Sequence, residues 1–201
     1  MKKIYTALLS ISLCSLSIAA RAQSVYMKLT TYDNKVITTG QADGGKDFPD
    51  LKNYIEISSL QYDFLQTLNI GSQSTGAGAG KITFNPLVIT KIANETSAPL
   101  FQAMASGTPY KTAEFVVLSN TKKVLYSVML KLAAVKTFSV STVSCNTGSC
   151  PGVAESISFE YGGYIVQTYV QKPDGSIAKG NIAGWNRVRN ISDTDPTAAI
   201  K

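Results

Sequence analysis

The 201-residue chain contains no histidine and three cysteines, so it lacks the usual ligand set for zinc and the usual general base for a serine or cysteine nucleophile. Its formal charge of +6 is not accompanied by a run of Lys or Arg interleaved with aromatics, which removes the main signature of nucleic-acid binding.

Lys2 and Lys3 precede an apolar run from Ile4 to Ala20, and Ala20-Arg21-Ala22 supplies small residues at the two positions a signal peptidase reads. The run is too short for a comfortable membrane span. Leu13 stands before Cys14, where a lipoprotein would carry a small residue. Residues 1–22 therefore read as a cleavable signal peptide. The mature chain would start at Gln23, keep no membrane association, and reside in the periplasm or outside the cell. Lys2, Lys3 and Arg21 leave with the leader and lower the charge from +6 to +3. The 179 residues that remain of 201 are enough for one domain with a real core.

Beyond the leader the chain reads mostly as strands. Val25, Met27 and Leu29 alternate with polar neighbours, the period of a half-buried strand. A second strand is expected over 54–63. GSQSTGAGAGK at 71–81 then looks like a phosphate cradle but fails its tests. Thr75 stands where the first glycine of a Walker loop belongs, Ile82 replaces the Mg²⁺-binding hydroxyl, and KITFNPLVITK alternates like a strand over 81–90. With no helix after Lys81 there is no helix N-terminus to hold a phosphate. Residues 71–80 read as a connection between strands.

NETSAPLFQAMASG predicts a short helix, with Thr96 or Ser97 as cap, Pro99 in the first turn, Leu100, Phe101 and Met104 on one face, and Gly107 as terminator. Strands follow at 111–119 and from Val124 to Leu132. In SCNTGSCPG the two mature cysteines, Cys145 and Cys150, are expected to pair in an oxidising compartment. That small loop would contribute about 2 kcal/mol. Further strands are expected at 156–161 and 164–172, and Lys172-Pro173-Asp174-Gly175 forms a turn. Glu56 and Glu160 alternate with apolar neighbours and read as solvated charges, and Trp185 as a core or interface anchor. The tail, 191–201, is expected to fray. No residues suggest catalysis, a metal or a cofactor.

KNYIEISSLQYDF, GAGAGKITFNPLVITK, ANETSAPLFQAMASGTPY, the paired segments KVLYSVMLKLAAVKTFSVS and ESISFEYGGYIVQTYVQKPDG, and GWNRVRN follow one another in a familiar order. Together they resemble the hemolysin-coregulated proteins (Hcp), the tube subunits of bacterial type VI secretion, over about Val25 to Asn190. The resemblance implies a mainly β fold over 23–190: a compact Hcp-like β-barrel of two sheets with one short flanking α-helix. It also implies a non-enzymatic structural protein whose partner is itself, in homohexameric rings that stack into tubes or carry small effector proteins. The family's extended loop maps to 71–80, giving Gly76, Gly78 and Gly80 a place in contacts between stacked rings. Glycine suits such contact because backbone can approach closely there. The leader and the cysteine pair depart from the family's cytoplasmic assembly, so a secreted or periplasmic binding module that kept the barrel without the tube is the alternative.

Overall fold

The computed structural model describes residues 23–38, 51–67, 81–142 and 152–200. Its strands are β1 (Ser24–Thr30), β2 (Ile55–Ile57), β3 (Ser59–Gln61), β4 (Phe64–Gln66), β5 (Ile82–Phe84), β6 (Leu87–Ile92), β7 (Tyr110–Leu118), β8 (Val124–Thr142), β9 (Val153–Gln171), β10 (Ile177–Asn186) and β11 (Ile191–Ser192). One helix, α1 (Ser97–Ser106), lies between β6 and β7. The architecture is mainly β, with a nine-stranded sheet, a separate two-stranded sheet and this single helix, as expected.

The sheet runs β11-β10-β9-β8-β7-β1-β2, all neighbours antiparallel, and a branch adds β6 to β9 and β3 to β6. The 19-residue strands β8 and β9 make this possible. The first part of β9 (Ala154–Phe159) pairs with β6, and the second (Gly163–Gln171) with β10. The β8–β9 hairpin therefore belongs to both layers, bending where its register shifts between Val135 and Thr137. The barrel is not fully closed. β2 pairs with β1 and β3 with β6, and the two strands are broken at Ser58, whose N–H donates to the Thr90 carbonyl at 2.7 Å.

Alternation accounts for the core. Met27 and Leu29 of β1, Leu87 and Ile89 of β6, and Ile157 and Phe159 of β9 point inward. Phe115 of β7 and Phe159 meet edge to face at 6.2 Å between the layers. Burying such a ring contributes about 3 kcal/mol.

Helix α1 occupies the expected residues and stops at Gly107 as its sequence predicts. Gly107 takes φ 68°, its N–H donating back to Met104. Thr96 makes no side-chain cap; the Asn94 carboxamide oxygen accepts the Thr96 N–H instead, at 3.0 Å. Leu100 is buried, but Phe101 is not on the same inward face: it is 54 % exposed, its ring meeting that of Phe138 edge to face with centres 6.3 Å apart.

Two further expectations need correcting. The segments 156–161 and 164–172 are one strand, because the ladder runs on from Tyr161 (with Ala133) to Gly163 (with Lys131) without a turn. The tail does not fray over its described residues. Ile191 and Ser192 pair with Asn186 and Trp185, and the chain then crosses β9 and β8 to bury Ile200. Tyr32 donates to the Ile200 carbonyl at 2.7 Å, and Lys131 forms an ion pair with Asp193 at 2.9 Å. Gly163 and Gly184 make room for this strap. A Cβ on Gly163 would lie 2.7 Å from Ile200 Cδ1, and one on Gly184 only 2.1 Å from the Asp193 carbonyl oxygen.

Candidate functional site

β4 and β5 form a short hairpin outside the main sheet, in register Gln66 to Ile82. The segment between them contains Gly76, Gly78 and Gly80, which lie outside the described residues, as do residues 1–22 and Cys145 and Cys150. The strand that follows Lys81 is described, and it is β5 rather than a helix, so nothing there supports a phosphate cradle.

The hairpin leans over β9 and β10 and with them borders an open groove of about 1420 Å³. Its walls carry Phe64, Phe84, Tyr161, Tyr164, Trp185 and Arg187. Phe64 stacks edge-on against Tyr164 at 4.9 Å and Phe84 at 5.3 Å. Beneath them Tyr62 donates to the Tyr126 hydroxyl at 2.8 Å, which lies 3.3 Å from that of Tyr164. Burial pushes Tyr161 up to about 12 and raises Tyr62 and Tyr164 as well, so all three remain neutral phenols at ordinary pH. They bond and pack, and they offer no base.

Two acidic groups are engaged away from the groove. Glu155 of β9 and Lys91 of β6 are register partners joined by a 2.7 Å ion pair, with the lysine side chain fully buried and the glutamate 4 % exposed. Lys91 also donates to Asn94 Oδ1 at 3.0 Å and Ser97 Oγ at 2.9 Å, so the pair anchors the start of α1. Glu114 holds Lys28 at 2.8 Å and accepts from the Tyr54 hydroxyl. Among the described residues no three metal-ligating side chains converge.

Of the residues singled out from the sequence, Glu56 is exposed, and Trp185 is half-buried in the groove wall. Glu160 is not a free surface charge. It lies 2.7 Å from Arg187 and 3.3 Å from Lys136. Partial burial pushes its pKa up, but hydrogen bonds and charge from Arg187 and Lys136 outweigh this and hold it below the ordinary 4.5. A group whose folded pKa lies below its unfolded one contributes stability that is whole above the unfolded value and lost as pH falls through the folded one. Lowering pH from about 6 to about 3 should therefore erode more stability from the wild type than from Glu160→Gln, by less than about 1 kcal/mol because the pair is partly solvated. Thermal melts across that range check it, and parallel curves would contradict it.

Sequence reasoning missed Lys91 and Glu155, although a signal existed. Lys91 is in phase with Leu87 and Ile89, and Glu155 with Ile157 and Phe159. Opposite charges on the apolar phase of two strands mark a buried pair.

Residues 26–169 match the model of a family described as the type VI secretion system effector Hcp. Solved structures share the fold. One described as a type six secretion system protein is 22 % identical with a TM-score of 0.71, covering 86 % of this chain and 100 % of its own. Hcp1 from Salmonella typhimurium is 18 % identical, with a TM-score of 0.62 and coverage of 85 % and 99 %. Hcp1 from E. coli EAEC 042 is 18 % identical, with a TM-score of 0.58 and coverage of 79 % and 99 %. Among curated proteins none matches the sequence.

Proposed function

The chain belongs to the Hcp family of type VI secretion, and from that premise we propose that it is a ring-forming structural subunit. It closes into homohexameric rings that stack into tubes or enclose small effector proteins. The family is one of structural secretion-tube proteins rather than of known enzymes.

The observation that carries this reading is the exposure of large apolar side chains at both ends of the β8–β9 hairpin. Phe101 and Val140, 54 % and 61 % exposed, belong to α1 and the far end of β8. Val170 and Ile182, 57 % and 42 % exposed, belong to β9 and β10 near the other end. A strand path of about 50 Å separates them. Two distinct patches on one subunit suit a head-to-tail contact closed by rotation. Residues 71–80, with Gly76, Gly78 and Gly80, supply contacts between rings. In this reading the leader delivers the chain to an oxidising compartment, where Cys145 and Cys150 would pair.

Light scattering and electron microscopy of the chain from Gln23 test the proposal. Six-membered rings are expected, and Phe101→Glu or Ile182→Glu should leave folded monomers. A wild-type monomer at high concentration would overturn it, and a stable captured partner without rings would favour the binding-module alternative. Intact mass spectrometry of exported protein tests cleavage after Ala22 and the disulfide.

A further inference from the structure

The β4–β5 hairpin shares no ladder with the main sheet. Its strands continue from the paired β3 and β6 after two residues on each side, and side chains hold it against β9. Tyr161 donates to the Asn85 carbonyl at 3.0 Å, and Phe64 and Phe84 lean on the tyrosines of β9. One cation closes this set from a distant part of the chain. Arg187 follows β10, where its N–H donates to the Gly162 carbonyl at 2.8 Å. Its guanidinium carbon lies 5.2 Å from the Phe84 ring centre and 4.9 Å from that of Tyr161. The same group donates to Glu160 Oε1 at 2.7 Å and to the Tyr161 carbonyl.

We propose that Arg187 is the positioning residue of the hairpin. Wedged against Phe84 and Tyr161 and held by Glu160, it fixes the direction in which β4 and β5 leave the barrel. It thereby governs contact between rings and leaves ring closure alone. Planarity matters here as much as charge, because a guanidinium lies flat on a ring and forks to two acceptors at once, whereas an ammonium is a point charge on a flexible stem. The clamp meets the core at β9, where Glu160 and Tyr161 pair with Ala134 and Ala133 beside Phe159, but the backbone ladder and the Phe115–Phe159 contact are made without Arg187. The inference rests on the tube-subunit reading for its consequence in stacking, but not for the clamp itself.

Hydrogen exchange of full-length mature protein separates the two. In Arg187→Met, exchange over 64–66 and 82–84 is expected to rise about tenfold, with β7, β8 and β9 unchanged, rings intact and stacks lost. Arg187→Lys should fall between, since it keeps the charge toward Glu160. Unchanged hairpin exchange, or an equal rise throughout the barrel, overturns the clamp. Loosened hairpins on rings that still stack overturn its control of assembly. Deleting 71–80 isolates the underlying reading: normal stacking of that variant would remove the loop's role in contact between rings, while hairpin exchange in Arg187→Met still decides what Arg187 does.

Discussion

Glu155→Ala is expected to lower folding stability by about 3–5 kcal/mol. The substitution leaves Lys91 enclosed among neutral oxygens, those of Ile92, Asn94 and Ser97, at 3.2, 3.0 and 2.9 Å, with no counter-charge. It also removes the acceptor of the Ser97 hydroxyl, which donates to Glu155 at 2.9 Å. The effect should therefore spread to the first turn of α1. The double variant Lys91→Met/Glu155→Leu should recover most of the loss, because a well-packed apolar pair requires no desolvation of charge. Urea unfolding measures both. A loss below about 1 kcal/mol for Glu155→Ala would mean that water reaches the pair.

Gly184→Ala should cost about 2–3 kcal/mol through the strap rather than the core. The added methyl would meet the Asp193 carbonyl oxygen at 2.1 Å and that of Tyr164 at 2.9 Å, both backbone atoms with little freedom to yield. Moving Asp193 breaks its N–H bond to Gly184, 3.1 Å long, and withdraws the partner of Lys131. Removing residues 191–201 from the variant should then add little, since the two changes act on one contact. Thermal melts and limited proteolysis of the tail check this. Additive losses would show that Gly184 acts elsewhere.

Strand positions were legible because alternation reports a sheet with one wet face, and β1, β7 and β8 lie near where the pattern puts them. The helix was legible from Pro99 and Gly107. The buried pair was not, because a lone Lys or Glu on a strand is ordinarily solvated, and only the pairing of β6 with β9 brings Lys91 and Glu155 together. The strap was obscured by composition. SDTDPTAAIK carries a single large apolar residue, and Ile200 is held by a slot that Gly163 leaves open. Gly163 and Gly184 are the mark of another segment crossing the strands that carry them. Arg187 lay hidden for a related reason: its partners Phe84, Glu160 and Tyr161 come from two other strands.

The chain enters β8 at Val124 and leaves β9 at Gln171, the same end of the hairpin. Tension along the backbone would thus peel its hydrogen bonds one after another. Force applied to one strand at this end and to the other strand at the far end would instead load many bonds together in shear. The β8–β9 hairpin is therefore expected to be mechanically anisotropic: soft when pulled by its two chain ends, stiff when its strands are drawn past one another.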